Sequence, residues 1–216
     1  MPDDPLFDPE RDVVTEAASL QGLAHPLRLR MLGLLRLRGP STATRLATDL
    51  AISSGLSSYH LRQLCAAGFI VDAEGSDLAD VERGGARERW WKAARRSTYV
   101  VSPPVGDDAA VAATTGYLGA VLQANLRTAQ RWLGVQSTWP QAWQQLGNFS
   151  DLPLVLTPRE TRQLQLEVAS LLARYRRHDP DAPPVAGAVT VVVQYQIFPA
   201  PDQSPPAGAT PDGGGR

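Results

Sequence analysis

The chain has 216 residues, of which 43% are hydrophobic, and its formal net charge is −1. This length and composition predict a folded protein with one sizeable core, or a small domain joined to an accessory one. They exclude a largely disordered chain, and no apolar run reaches the roughly 18 residues that a membrane-spanning helix needs.

Cysteine usage and the N-terminus narrow the class of protein further. Cys65 is the only cysteine, so no internal disulfide can form and no cluster of thiolates can bind a metal. The first ten residues, MPDDPLFDPE, are acidic and lack the basic and apolar regions of a signal peptide. We therefore expect a cytoplasmic protein without a membrane partner.

Charge is unevenly distributed along the chain. Residues 11–96 carry thirteen Lys or Arg against nine Asp or Glu, whereas residues 97–216 carry eight against nine. Neutralised phosphates supply most non-specific affinity for nucleic acid, so the positive segment is where a polyanion would bind. Almost all the bases are arginines, which suit bidentate contacts to phosphate and guanine, although a compositional bias of the genome would give the same count.

Composition divides the chain into four parts. Residues 1–10 and the Pro-, Gly- and Ala-rich residues 199–216 are predicted to be disordered. The break SPPVGDD then separates an N-terminal domain, residues 11–101, from a C-terminal domain, residues 102–198.

Helical spacing dominates the N-terminal domain, and a hairpin follows it. The predicted helices are residues 12–22, one from Pro26 to the Gly39-Pro40 break, one capped by Ser41 or Thr42, and one over residues 54–67 capped by Ser53 or Ser54. Strand-like runs at 69–72 and 89–93 flank a glycine-bearing polar stretch. A helix, a short turn, a second capped helix and a hairpin make a winged helix-turn-helix. The predicted fold class is therefore α+β, mainly helical with little sheet, with a small helical and β C-terminal domain behind the winged domain.

Three stretches of this domain resemble the ArsR-like winged-helix family, in particular its larger members with an added C-terminal domain. They are LAHPLRLRMLGLL (23–35), TATRLATDLAISSGLSSYHLRQLCAAGFI (42–70) and ARERWWKA (86–93), in that order. The resemblance implies a transcription regulator that binds double-stranded DNA, and we expect a repressor that acts as a homodimer.

The metal sites of that family are not found here. Its arsenic site is a Cys-x-Cys pair in the helix before the recognition helix, where this chain reads TRLATDLA. Its other common site takes Asp and His from C-terminal helices, but His25, His60 and His178 have no helically spaced His partner. Ligands at tetrahedral spacing are missing, so we predict no metal sensing and no cofactor.

The predicted DNA contacts lie on the outward face of the 54–67 helix, which would enter the major groove, and in the wing, which would reach the minor groove or flanking phosphates. They are Ser54, Ser57, Ser58, Tyr59, His60, Arg62, Gln63, Arg83, Arg87 and Arg89. The alternatives are a solvated helix face and a loop whose arginines are balanced by nearby acids. For His60 an internal hydrogen bond is as good an interpretation as a phosphate contact.

Catalysis is not predicted. His60 and Cys65 are five residues apart, so on a helix they lie roughly 140° apart around the axis and do not face each other. No other nucleophile, carboxylate pair or phosphate-binding loop is evident. Trp90 and Trp91 are neighbours on a strand and point to opposite faces, so we expect one in the winged core and the other against the C-terminal domain.

A long helix over residues 108–133 opens the C-terminal domain and carries a broad apolar face. We predict that this face forms a homodimer, with the 12–22 helix assisting, because paired half-sites require two recognition helices. The predicted dimerisation residues are Val111, Leu118, Val121, Leu122 and Leu126. Packing onto its own domain is the alternative.

The rest of that domain is predicted to be a strand at 152–156, a helix from Thr157 to about residue 177, and a strand at 189–198 that pairs with the first. Aromatic residues gather near its start, and they suit either an apolar effector pocket or an ordinary small core. They are Tyr117, Trp132, Trp139, Trp143 and Phe149.

Two classes of function are therefore weighed, a dimeric DNA-binding regulator and a winged protein-interaction module without specific DNA binding. The positive charge of the recognition helix and wing favours the regulator, since the fold alone does not fix function.

Overall fold

The computed structural model describes residues 4–15, 17–78 and 88–202. In chain order the elements are β1 (Asp12–Thr15), α1 (Ala17–Leu20), α2 (Pro26–Arg38), β2 (Ser41–Thr42), α3 (Ala43–Leu50), α4 (Ser54–Ala66), β3 (Ile70–Asp72), β4 (Trp90–Ala93), β5 (Ser97–Val100), α5 (Asp108–Val135), α6 (Gln141–Gln144) and α7 (Pro158–Leu172). Single 3-10 turns lie at Gly75–Leu78 and Gln136–Thr138. The predicted α+β class is confirmed.

Side-chain caps explain where the helices of the winged domain begin. The Thr42 hydroxyl accepts a hydrogen bond from the backbone N–H of Arg45, and the Ser53 hydroxyl accepts one from Leu56. Each bond satisfies an N–H that has no partner within the helix. Of the alternatives left open by the sequence, Thr42 and Ser53 are thus the caps of α3 and α4.

Two small sheets frame these helices. In the antiparallel sheet β4 is central, with β2 and β3 on either side, so that β2 joins the predicted hairpin as a third strand. In the second sheet β1 pairs with β5 in parallel. The prediction of a helix over residues 12–22 is therefore wrong for its first part, because Asp12–Thr15 forms β1 and only Ala17–Leu20 is helical.

One hydrophobic core lies beneath α4. Its fully buried members include Met31 from α2, Leu46 from α3, and Leu61 and Leu64 from α4. Trp91 is part of this core, and the ring of Trp90 is covered by the guanidinium of Arg45 at 4.8 Å from its centroid. Both tryptophans are thus buried, and the side chain that covers Trp90 comes from the winged domain itself.

The long helix α5 packs against α1 and α2 through its buried residues, which are Ala110, Thr114, Tyr117 and Ala120. The capping box at the start of α7 is present, because Thr157 and Glu160 each bond the other's backbone N–H. That helix ends at Leu172 rather than near residue 177. Across the described ranges, no helix is both long and apolar enough to cross a membrane.

The two strands predicted for the C-terminal domain are not formed. Residues 152–156 and 189–198 have no regular secondary structure, and they do not pair with each other. A strand needs a hydrogen-bonded neighbour as well as a suitable sequence, and neither segment has one among residues 4–15, 17–78 and 88–202.

Candidate nucleic-acid interface

The outward face of α4 carries polar side chains that solvent can reach. Ser54, Tyr59, Arg62 and Gln63 are exposed and Ser58 is half-buried. Leu61 and Leu64 hold the opposite face of the helix in the core, and they thereby fix which side chains point outward. Hydroxyl, amide and guanidinium groups on one helix face match the donors that read base edges and phosphates.

Two of the predicted contact residues on this helix are not on that face. Ser57 is fully buried and His60 is only 4% exposed. Ser57 stands four residues before Leu61 and seven before Leu64, a spacing that places it on the core side of the helix. We therefore assign neither Ser57 nor His60 to the surface that would contact DNA.

A cleft of about 260 Å³ lies between α3, α4 and β4. It is lined by Thr42, Ala43, Thr44, Ser58, Arg62, Glu88, Arg89 and Trp91. The first turn of α3 has backbone N–H groups without helical partners, and with the Arg62 guanidinium these suit an anion such as a backbone phosphate. Thr44 was not among the predicted contact residues, although its place in the first turn of a capped helix was a usable signal.

Arg89, the residue directly before β4, is held at the end of the antiparallel sheet. Its guanidinium donates to both carboxylate oxygens of Asp72, with Nη2 to Oδ2 at 2.8 Å, and lies 4.0 Å from the ring centroid of Trp91. The hydrogen bonds from Arg89 lower the pKa of the Asp72 carboxyl, and they raise the pKa of Arg89 itself. About half of each side chain stays exposed, so Arg89 can still be approached from the cleft. Arg83 and Arg87, the other predicted wing contacts, lie outside the described residues.

Two imidazoles, one on α4 and one at the N-cap of α2, lie against each other with their planes tilted by 36°. The rings of His25 and His60 have their centroids 4.4 Å apart. The Nδ1 atom of His25 accepts a hydrogen bond from the N–H of Leu27 and so caps α2, while Nδ1 of His60 is buried without a partner. Burial lowers the pKa of both rings, the charge of Arg28 lowers both further, and His25 also lowers that of His60. His60 thus packs inside the domain, where it contacts the N-cap of α2.

The lowered pKa values of His25 and His60 predict that the domain loses stability at acidic pH. Because both folded-state pKa values lie below the unfolded value of about 6.5, the unfolded chain takes up protons first. Above about pH 6.5 these two groups should therefore leave the free energy of unfolding unchanged. Below that pH the free energy of unfolding should fall, by about 1.4 kcal/mol for each unit by which the folded-state pKa lies below the unfolded value. Urea denaturation across this range should show a smaller fall for His60→Phe than for wild type. Tyr59→Phe is the control, and an unchanged slope in His60→Phe would contradict the prediction.

The aromatic residues predicted near the start of the C-terminal domain do not form one cluster. Three tryptophan rings meet edge to face. The ring centroids are 5.5 Å apart for Trp132 and Trp139, and 6.3 Å apart for Trp139 and Trp143. Tyr117 instead belongs to the winged core, and Phe149 is largely exposed. Within the described part of the chain, no group of three or more His, Cys, Asp or Glu is placed to hold a metal ion.

Comparison with known proteins gives one family. Residues 23–72, which run from three residues before α2 to the end of β3, match the family model of a helix-turn-helix domain. A search of curated proteins returned no match. Residues 23–72 are thus similar to a helix-turn-helix family that is found in ArsR-type regulators, and this match supports a DNA-binding regulator.

Proposed function

We propose that the protein is a sequence-specific repressor that binds double-stranded DNA as a homodimer and does not sense a metal. The observation that carries the proposal is the joint placement of the polar face of α4 and the cleft beside it. The exposed side chains of α4 would read base edges in the major groove, while the first turn of α3 and Arg89 would hold flanking phosphates.

The homodimer is supported by the second face of α5. While one face packs on α1 and α2, a stripe of large apolar side chains on another face remains between 45% and 51% exposed. The stripe is Val111, Leu118, Leu122, Leu126 and Leu133. Val121, also predicted to dimerise, packs against the winged core and so does not belong to it.

The stripe is symmetric about its centre. Leu118 and Leu126 each stand four residues from Leu122, and Val111 and Leu133 each stand eleven residues from it. A second α5 running antiparallel, with Leu122 on the two-fold axis, would therefore place each apolar residue opposite another. Antiparallel pairing also aligns the helix dipoles favourably. A self-complementary patch of this kind is what a two-fold interface requires.

The test of DNA recognition begins with selection of bound sequences from random DNA. Arg62→Ala should then lose about 1–3 kcal/mol of affinity for the selected operator, the range for a lost base contact, in fluorescence anisotropy. Arg159→Ala, which removes an exposed arginine of α7, is the matched control and should bind as wild type. Unchanged affinity in folded Arg62→Ala would remove Arg62 from the site. If selection enriches no sequence, the protein-interaction module becomes the better function.

The absence of a metal from the mechanism is tested separately. Elemental analysis of the purified protein should find no stoichiometric transition metal, and a chelator should leave operator affinity unchanged. The reason is that the described histidines and Cys65 form no cluster of ligands. A bound metal, or binding that collapses with chelator, would overturn this part of the proposal.

A further inference from the structure

Residues 189–198, VTVVVQYQIF, form a segment that we call the arm. It is rich in β-branched residues and contains no charge and no proline. Every odd position from 189 to 197 is apolar, while three of the five even positions are polar, namely Thr190, Gln194 and Gln196. This is close to the period-two pattern of a strand with one buried face. Four of these side chains are nevertheless between 42% and 65% exposed, namely Val189, Val191, Val193 and Tyr195. Among the residues that the structure describes, the arm thus has neither a partner strand nor a core.

The residues before the arm are fixed to the winged domain. Nη2 of Arg177 donates to the hydroxyl of Ser97 at 2.9 Å, and Nε2 of His178 donates to the carbonyl of Leu37 at 2.8 Å. The hydroxyl of Thr190 lies 3.2 Å from Nδ1 of the same histidine, which can accept its proton when Nε2 is the donor. The arm therefore leaves the winged domain from a defined position, rather than hanging from it as a loose tail.

A second strand-like segment of the chain also lacks a partner strand in the structure. Residues 152–156, LPLVL, are uncharged and exposed along their whole length. They pair with no strand of the structure, and Pro153 restricts them to the edge of a sheet because it lacks an N–H. Each chain thus offers one arm and one edge segment, which we call the acceptor, and leaves both open.

A second copy of the chain would supply a partner strand to the arm and to the acceptor at once. If each arm pairs with the acceptor of the other chain, a two-fold exchange uses every strand and leaves none over, so the assembly closes at two subunits. Without such closure, an uncharged exposed strand would be a template for open-ended aggregation. The symmetric stripe of α5 supplies an independent reason for the same partner.

We propose that the arm, residues 189–198, pairs as a β-strand with the acceptor, residues 152–156, of a second copy, in a reciprocal exchange. The inference rests on the homodimer proposed above and adds to it a second interface. Because the residues before the arm are bonded to the winged domain, the exchange would couple the positions of the two recognition helices.

The experiment asks whether the pairing lies within a chain or between chains. Val193→Cys and Leu154→Cys are combined in a chain whose own cysteine is removed by Cys65→Ala, and a short bismaleimide is added. Denaturing electrophoresis should show covalent dimers. When subunits are first mixed with a large excess of the cysteine-free chain, these dimers should disappear, since a mixed pair holds both cysteines on one chain. The chain with Val193→Cys alone should give no dimer.

Other outcomes overturn the inference. An internally linked monomer that survives dilution would mean that the two segments pair within one chain. No linkage at all would mean that they do not pair, and dimers from Val193→Cys alone would mean that arm meets arm. Light scattering on the cysteine-free chain separates the two proposals, because a dimer without linkage refutes only the exchange. A monomer refutes both.

Discussion

Glutamates at the centre of the α5 stripe should separate the subunits. In the Leu118→Glu/Leu122→Glu variant, the two-fold axis at residue 122 would bring like charges of both chains together in an apolar contact. Since burying an unpaired charge costs several kcal/mol, the dimer dissociation constant should rise at least about a thousandfold, or about 4 kcal/mol. Affinity for the operator should fall as well, because a single dimer would no longer bind both half-sites, which lie about 34 Å apart.

The matched control adds the same charges to another exposed face of the same helix. Ala112 and Gln123 are exposed and lie off the apolar stripe, so Ala112→Glu/Gln123→Glu should remain dimeric. Light scattering over a range of concentrations and titration of the operator would compare the two variants. A wild type that is monomeric at micromolar concentration, or a stripe variant that stays dimeric and folded, would show that the stripe is no interface.

Local signals in the sequence were enough to predict the helix-turn-helix. A helix start depends on a cap and a few neighbouring residues, so each of the caps of α3 and α4 could be narrowed to two adjacent residues without knowledge of the fold. The Thr157–Glu160 capping box could be recognised from the sequence in the same way. The apolar spacing of α4 similarly predicted which face enters the core. The same spacing, applied to Ser57, would have placed that residue inside.

Long-range structure could not be predicted in the same way. The helix expected over residues 12–22 gives way to β1 because β5, more than eighty residues away, supplies a parallel partner. Conversely, residues 189–198 have the composition of a strand but no partner strand in the described part of the chain. In both cases pairing depends on a neighbour that no local pattern reveals, and strand propensity decides only which segments are ready to pair.

His60 shows the same limit for a single side chain. Its position on α4 suggested either a DNA contact or an internal bond, and the structure places it against His25 of a different helix. The distance between the two rings depends on how α2 crosses α4, which the sequence does not encode locally. The function of His60 is thus to pack and not to touch DNA in our proposal.

Removal of one buried carboxylate at the edge of the winged domain should lower the free energy of unfolding more than any surface substitution. The Asp12 side chain is fully buried, and its Oδ2 lies 3.3 Å from Arg96 and 3.5 Å from Arg177. Burial alone would raise the pKa of Asp12, but the hydrogen bond from Arg96, the N–H of Asp8 and the nearby charges outweigh it and lower the pKa. The carboxylate thus joins β1, the loop before β5 and the segment that precedes the arm.

Asp12→Ala would leave both guanidinium groups without this partner. Breaking a buried ion pair from one side typically costs about 3–5 kcal/mol. We expect about 3 kcal/mol here, because Arg96 and Arg177 are 19% and 32% exposed and can regain some water. The control is Asp8→Ala, since Asp8 lies 3.6 Å from the same Arg96 but is 38% exposed, and it should cost less than about 1 kcal/mol. Urea denaturation of both variants would measure the difference, and equal losses would show that burial of Asp12 does not matter.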